Sequence, residues 1–286
     1  MWILQSIVFV VLTFVMTASQ DLSLKLFILA GQSNMVGYKS NLEDLEPSQL
    51  ESQDNVLWYD RSSTWVTLSP PTEPVLGPDL TLPVPPFKKH HPEHSHKVAN
   101  GSGFGPEISL GSEIADNLKQ KIALVKYARN GSNLAYQWNP DDDDSLYPRM
   151  KKRTNEAIAA LKSLGCHVEI AGFFWMQGET DASNEDMAEY YQSNLTNFIS
   201  ALREDFHSPN LPFIYGMVHF SNDNSCCGEA VRTAQRQVEA DVAFTSAVET
   251  RDLSLDRDKI HFDSKGTILL GDRFAKAWLT MTEPSK

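Results

Sequence analysis

Five short runs of this chain are apolar at nearly every position: KLFILA (25–30), KIALVKY (121–127), VEIAGFFWM (168–176), PFIYGMV (212–218) and VAFTSAV (242–248). A strand with one wet face alternates apolar and polar residues. Four of these five do not alternate, so both of their faces need cover. Between them lie segments of helical period, 106–119, 149–164, 184–206, 228–240 and 265–280. Pro106 suits a first helical turn and Gly165 a helix end. Helices of that length can cross over between parallel neighbours in the right-handed sense. The pattern predicts an α/β fold, a three-layer α/β/α sandwich with a central parallel sheet of about five strands. Ligands of such sheets bind in the loops at the carboxyl ends of the strands.

Residues 41–105 break this rhythm. NVLWYDRSSTWVTL (55–68) reads as a two-stranded hairpin, and the Pro/His-rich stretch PVPPFKKHHPEHSHK follows it. The segment has too few apolar residues for a core of its own, so it is expected to be an insertion that could wall an active site. Residues 1–20 carry no charge and hold an apolar run, IVFVVLTFVM, followed by small polar residues. This reads as a secretory signal peptide, because a membrane-spanning helix needs about 20 apolar residues. The expectation is one domain over 21–286, secreted or extracellular, with no stable membrane insertion after cleavage.

Composition narrows the partners. A formal charge of −12 leaves no surplus of Lys and Arg for a phosphate-tracking groove, so nucleic acid is not expected. Three cysteines, Cys166 and the adjacent Cys226 and Cys227, are too few for a disulfide scaffold or a zinc cluster. Either Cys166 pairs with one of the two neighbours or all three are reduced. His90, His91, His94 and His96 sit among prolines with little fixed geometry and are expected to be solvated, as is the acidic run 141–144. Sequons at Asn100, Asn130 and Asn194 permit N-glycosylation in a eukaryotic host.

Four stretches near strand ends carry possible chemistry. GQSNM places Ser33 just past the first strand, where a serine on its own is commonly a turn or a helix cap. DRDKIHFDSKG places Asp258 three residues before His261; a carboxylate there can orient the imidazole and leave its second nitrogen to take a proton from a serine. GFFWMQGETDA ends a strand in Gln177, Gly178, Glu179 and Asp181, where an amide could donate to a developing oxyanion or the acids could simply be solvated. KYARNGSNLAYQW offers the Gly131 N–H for the same purpose, or an ordinary turn.

GQSNM, FGPEISLG, NGSNL, WMQGETDA and DKIH occur in the order found in SGNH hydrolases. From about residue 24 to 280 the chain resembles the carbohydrate esterase family 6 and sialate O-acetylesterase-like branch of that superfamily. The resemblance implies a flavodoxin-like SGNH fold, Ser33 as nucleophile and His261 as general base and then acid. It implies an oxyanion hole made by the N–H groups of Ser33 and Gly131 with the Gln177 side chain. NGSNL departs from the more usual paired glycines. For the third triad member Asp258 fits the common arrangement and Glu179 is the alternative; whichever faces the remote imidazole nitrogen fills the role. Gln32, Asn34, Tyr136, Trp138 and Glu179 are candidates for the substrate rim.

The expected activity is a secreted serine esterase removing O-acetyl groups from carbohydrate, acetylxylan first and acetylated sialic acid second, with no metal or other cofactor. A carbohydrate-binding relative without turnover and a lipase-like or thioesterase-like SGNH hydrolase are the rival readings. The polar QGETDA and the acidic run 141–144 count against the last of these.

Overall fold

The computed structural model describes residues 23–72, 103–220 and 225–283. The first apolar run becomes strand β1 (Ser23–Gly31), followed at once by a single-turn helix α1 (Ser33–Val36). The hairpin supplies β2 (Gln53–Tyr59) and β3 (Trp65–Leu68). Then come α2 (Glu107–Leu118), β4 (Ile122–Ala128), α3 (Leu146–Ser163) and β5 (His167–Met176). Two helices, α4 (Glu185–Glu189) and α5 (Tyr191–Asp205), lead to β6 (Phe213–Gly216). The last elements are α6 (Gly228–Asp241), β7 (Thr245–Val248) and α7 (Ser264–Thr282).

One sheet holds the seven strands of the described residues, in the order β3-β2-β4-β1-β5-β6-β7. Every neighbouring pair is parallel except β2–β3. The chain moves from β1 to one side through β4 and to the other through β5, which puts the topological switch point at the carboxyl end of β1. Ser33 follows that end by two residues.

Alternation along β1 explains the layers. Leu26, Ile28 and Ala30 enter a core with Trp175, Phe198 and Val238, beneath α3, α5 and α6. Phe27 and Leu29 enter the opposite core with Phe174, Leu270 and Phe274, beneath α2 and α7. Each fully buried large apolar side chain contributes roughly 1.5–3 kcal/mol relative to exposure.

The sheet has seven strands rather than about five. β2 pairs in parallel with β4, from Val56 opposite Ile122 to Tyr59 opposite Val125, so the hairpin extends the sheet instead of standing apart as a wall. Val56, Trp58 and Leu68 gain burial against the α2 side of the core, which an isolated hairpin could not supply. Two helix boundaries also differ. α3 starts three residues before the expected 149, because Ser145 caps it by accepting from the Tyr147 N–H and Pro148 falls in the first turn, where no N–H partner is lost. The expected helix 184–206 is divided at Tyr190, whose φ of −96° and ψ of 5° leave helical geometry. The expected signal peptide and the His90–His96 cluster lie outside the described residues.

Candidate active site

Gly31 ends β1 with φ 144°, and a Cβ there would run into the Met176 carbonyl. This close approach lets the Gln32 N–H donate to Met176 O at 2.9 Å and turns the chain sharply into α1. Ser33 is the first residue of α1, nearly buried, with its Oγ 2.9 Å from His261 Nε2. His261 arrives from the loop before α7, 228 residues later. Its Nδ1 lies 2.8 Å from Asp258 Oδ2.

Asp258 is held on both oxygens. Its Oδ1 accepts from the backbone N–H groups of Ile260 and His261, each at 3.0 Å. Burial alone would raise the Asp258 carboxyl, but those N–H donors and the imidazole outweigh it and hold it below the usual carboxylate range. The group facing the remote nitrogen of His261 is therefore Asp258. Glu179 faces Asn34 instead, accepting from its Nδ2 at 2.6 Å.

Hydroxyl, imidazole and carboxylate, in one hydrogen-bonded line at the switch point of a parallel sheet, make a proton-transfer chain suited to acyl transfer. A family model described as "Carbohydrate esterase, sialic acid-specific acetylesterase" matches residues 23–280. The chain belongs to this family. It is accordingly a carboxylic ester hydrolase of the carbohydrate esterase kind. A relative, the probable carbohydrate esterase At4g34215 of Arabidopsis thaliana, is 27% identical over 264 residues, 90% of each chain. The crystal structure of that Arabidopsis protein superposes with a TM-score of 0.69 at 24% identity, covering 90% of this chain and 98% of that one. XAC1771, a carbohydrate acetylesterase from Xanthomonas citri, gives a TM-score of 0.60 at 16% identity over 90% of this chain and 56% of that one. These two likenesses are of fold.

In this acetylesterase-family protein the loop after β4 is tied to the end of β1, the Arg129 N–H donating to Gly31 O at 3.0 Å, so Ser33 and Gly131 both lie in loops at the carboxyl end of the sheet. The N–H groups of Ser33 and Gly131 have no acceptor among the described residues. Gly131 is exposed, with φ 65°.

Gln177 does not join them, which corrects the expected oxyanion hole. Its side chain is fully buried, and its Nε2 faces three acceptors: Asp181 Oδ2 at 2.6 Å, Ser132 O at 3.0 Å and Gln32 Oε1 at 3.2 Å. An amide has two hydrogens, and both are taken. By gripping the Ser132 carbonyl, Gln177 fixes the loop that presents Gly131. Asp181 fixes the same loop further on, accepting from the N–H groups of Leu134 and Ala135. The reading of these acids as solvated therefore fails. Burial pushes the Glu179 carboxyl up to about 7, against the Asn34 amide and with some help from the negative Asp181. Burial likewise pushes Asp181 up to about 6, against the Leu134 N–H and the Gln177 amide.

Most of the rim candidates lie beneath the site rather than around it. Trp138 is fully buried, edge-on to Trp175, and donates from Nε1 to Ser132 Oγ at 2.8 Å. Gln32 Oε1 accepts from the N–H groups of Gly178 and Thr180 as well as from Gln177. Asn34 and Glu179 are both under 6% exposed. Tyr136 remains exposed, as a rim residue must. Two neighbours of the Ser33–His261–Asp258 line escaped sequence reasoning. The Tyr38 ring lies 5.0 Å from the His261 ring, and Lys39 Nζ stands 3.8 Å from Asp258 Oδ2. Their place directly after GQSNMVG was the available clue.

Cys226 and Cys227 are bonded to each other and Cys166 is free, which corrects the expected alternatives. Cys166 precedes the amino end of the ten-residue β5, while the pair follows the carboxyl end of β6. A strand of that length separates them by roughly 30 Å. Among the described residues no helix is long and apolar enough to cross a membrane, and no group of three or more His, Cys, Asp or Glu is placed to hold a metal ion.

Proposed function

We propose that this protein is a secreted serine esterase that removes O-acetyl groups from carbohydrate through an acetyl-enzyme on Ser33. The observation that carries this reading is the Ser33–His261–Asp258 line, with its 2.9 and 2.8 Å links. Ser33 Oγ attacks the acetyl carbon as His261 Nε2 takes its proton, and Asp258 holds the imidazolium that forms. Negative charge on the carbonyl oxygen meets the free N–H groups of Ser33 and Gly131. The carbon–oxygen bond to the sugar breaks, and His261 returns its proton to the leaving hydroxyl. Water, deprotonated by His261, then attacks the acetyl-enzyme and releases acetate and free Ser33.

O-acetylated sialic acid is the substrate favoured by the description of the matching family, and acetylxylan is the alternative from sequence resemblance. Acetate release from a panel of O-acetylated sialic acids and acetylated xylans, set against a long-chain ester, decides among them. No turnover of any acetate by wild type would favour a binding relative, and faster turnover of the long-chain ester a lipase-like enzyme. Secretion is tested by amino-terminal sequencing of protein recovered from the medium of expressing cells, which should begin near residue 21.

A further inference from the structure

We propose that Asn34, oriented by Glu179, is a positioning residue that registers His261 against Ser33. Asn34 rides on α1 directly after Ser33, so whatever its side chain holds is held relative to the nucleophile. It holds the backbone on both sides of His261. Its Nδ2 donates to Ile260 O at 3.2 Å, and its Oδ1 accepts from the Phe262 N–H at 2.9 Å. Asp258 takes the remaining N–H groups of that turn, those of Ile260 and His261. The imidazole is thus bracketed from the Ser33 side by one amide and from the opposite side by one carboxylate.

Glu179 decides which way the amide points. With Nδ2 toward Glu179 Oε1 and Ile260 O, both amide hydrogens meet acceptors. Turned over, Oδ1 would meet the Ile260 carbonyl and the NH2 would meet the Phe262 N–H, both repulsive, and the ionised Glu179 carboxylate would add a third repulsion against Oδ1. Since Asn34 is 2% exposed, water cannot take over either link. The role explains why GQSNM carries an amide after the serine, and why a buried acid three residues past β5 does not touch the imidazole. It rests on Ser33 and His261 acting together as above.

The test reads nucleophile activation directly. The second-order rate of Ser33 labelling by a fluorophosphonate is measured beside kcat and KM for an aryl acetate. Asn34→Ala and the near-isosteric Asn34→Asp should each lower the labelling rate and kcat in parallel by about 100-fold, with KM within about threefold, because attack and not binding needs the register. Glu179→Gln, whose amide oxygen can still accept from Asn34, should stay within about threefold of wild type. Glu179→Leu should fall with the Asn34 variants. Wild-type labelling rates in folded Asn34→Asp or Glu179→Leu would overturn the proposal, as would a loss in Glu179→Gln as large as in Glu179→Leu. Fast wild-type labelling without turnover of any carbohydrate acetate would overturn the substrate reading and leave this one standing.

Discussion

Asp258→Asn should cost far more than the loss of one negative charge, because of how the two carboxylate oxygens are used. Oδ1 accepts from two backbone N–H groups and Oδ2 from the imidazole. An asparagine has one acceptor to divide between these places. With its oxygen turned to His261, its NH2 abuts both N–H groups and leaves them unpaired, at about 1–3 kcal/mol each. With its oxygen kept on the backbone, the NH2 donates to Nδ1 and holds the proton of the neutral imidazole on Nε2. That tautomer cannot take the Ser33 proton. The preference of about 2–6 kcal/mol leaves the productive tautomer at roughly one part in 30 to one in 10⁴. The carboxylate's stabilisation of the imidazolium is lost as well, so the expected fall in kcat/KM is about 10⁴-fold, or about 5.5 kcal/mol.

The assay is aryl acetate hydrolysis under pseudo-first-order conditions, with near-ultraviolet circular dichroism to confirm that each variant is folded. Asp258→Ala has no NH2 to offer Nδ1, and should be no slower than Asp258→Asn although it removes more of the side chain. More than a tenth of wild-type activity in Asp258→Asn would refute the tautomer argument. A larger fall in Glu179→Gln than in Asp258→Asn would return the third triad place to Glu179.

Four further outcomes follow from the same geometry. Ser33→Ala and His261→Ala should each lower turnover by about 10⁴- to 10⁶-fold, measured as acetate release; near-normal rates in either would remove the assignment. Gln177→Ala should lower both melting temperature and kcat, because it strips a partner from buried Asp181 and frees the Ser132 carbonyl that fixes the Gly131 loop; a fall in kcat at unchanged stability would return Gln177 to the oxyanion hole. Lys126 and Glu107 form a fully buried pair at 2.7 Å, so Lys126→Met should cost about 3–5 kcal/mol in denaturant titration, and adding Glu107→Gln should recover a large part of it. Glu179 should make stability fall as pH rises: its folded value of about 7 lies above the ordinary 4.5, so its contribution is complete below 4.5 and lost through 7, amounting to about 3 kcal/mol that Glu179→Gln should abolish.

Features decided by near neighbours were legible in the sequence. Unbroken apolar runs announced buried parallel strands, because cover on both faces leaves no position for a polar residue. That Ser33, Asp258 and His261 meet was legible because each sits in a short motif whose spacing suits the role proposed for it. The parallel pairing of β2 with β4 was hidden, because it joins segments more than 60 residues apart and depends on β4 having a free edge. Burial of Trp138 was hidden for a related reason: WNP in a loop looks like a rim, and only Trp175 and Phe198 on other elements make it core.

The misplacement of Gln177 shows what a motif cannot carry. WMQGETDA states that an amide ends a strand near the nucleophile, but an amide's availability depends on who already holds its hydrogens. Here Asp181, four residues on, and Ser132, 45 residues back, take both. The same holds for Glu179, whose acidity suggested solvent or the triad until Asn34 claimed it. Gln32, Asn34, Gln177, Glu179 and Asp181 are all buried, and each binds to an element other than its own. Apolar residues there would be cheaper to bury, but they could not fix backbone N–H and C=O groups to within hydrogen-bond tolerance. On the proposed mechanism, three loops distant in sequence must meet within a few tenths of an ångström for Ser33, His261 and Gly131 to act on one acetyl group. The polar floor beneath them is what that meeting requires, and its raised carboxyl groups are the stability cost it carries.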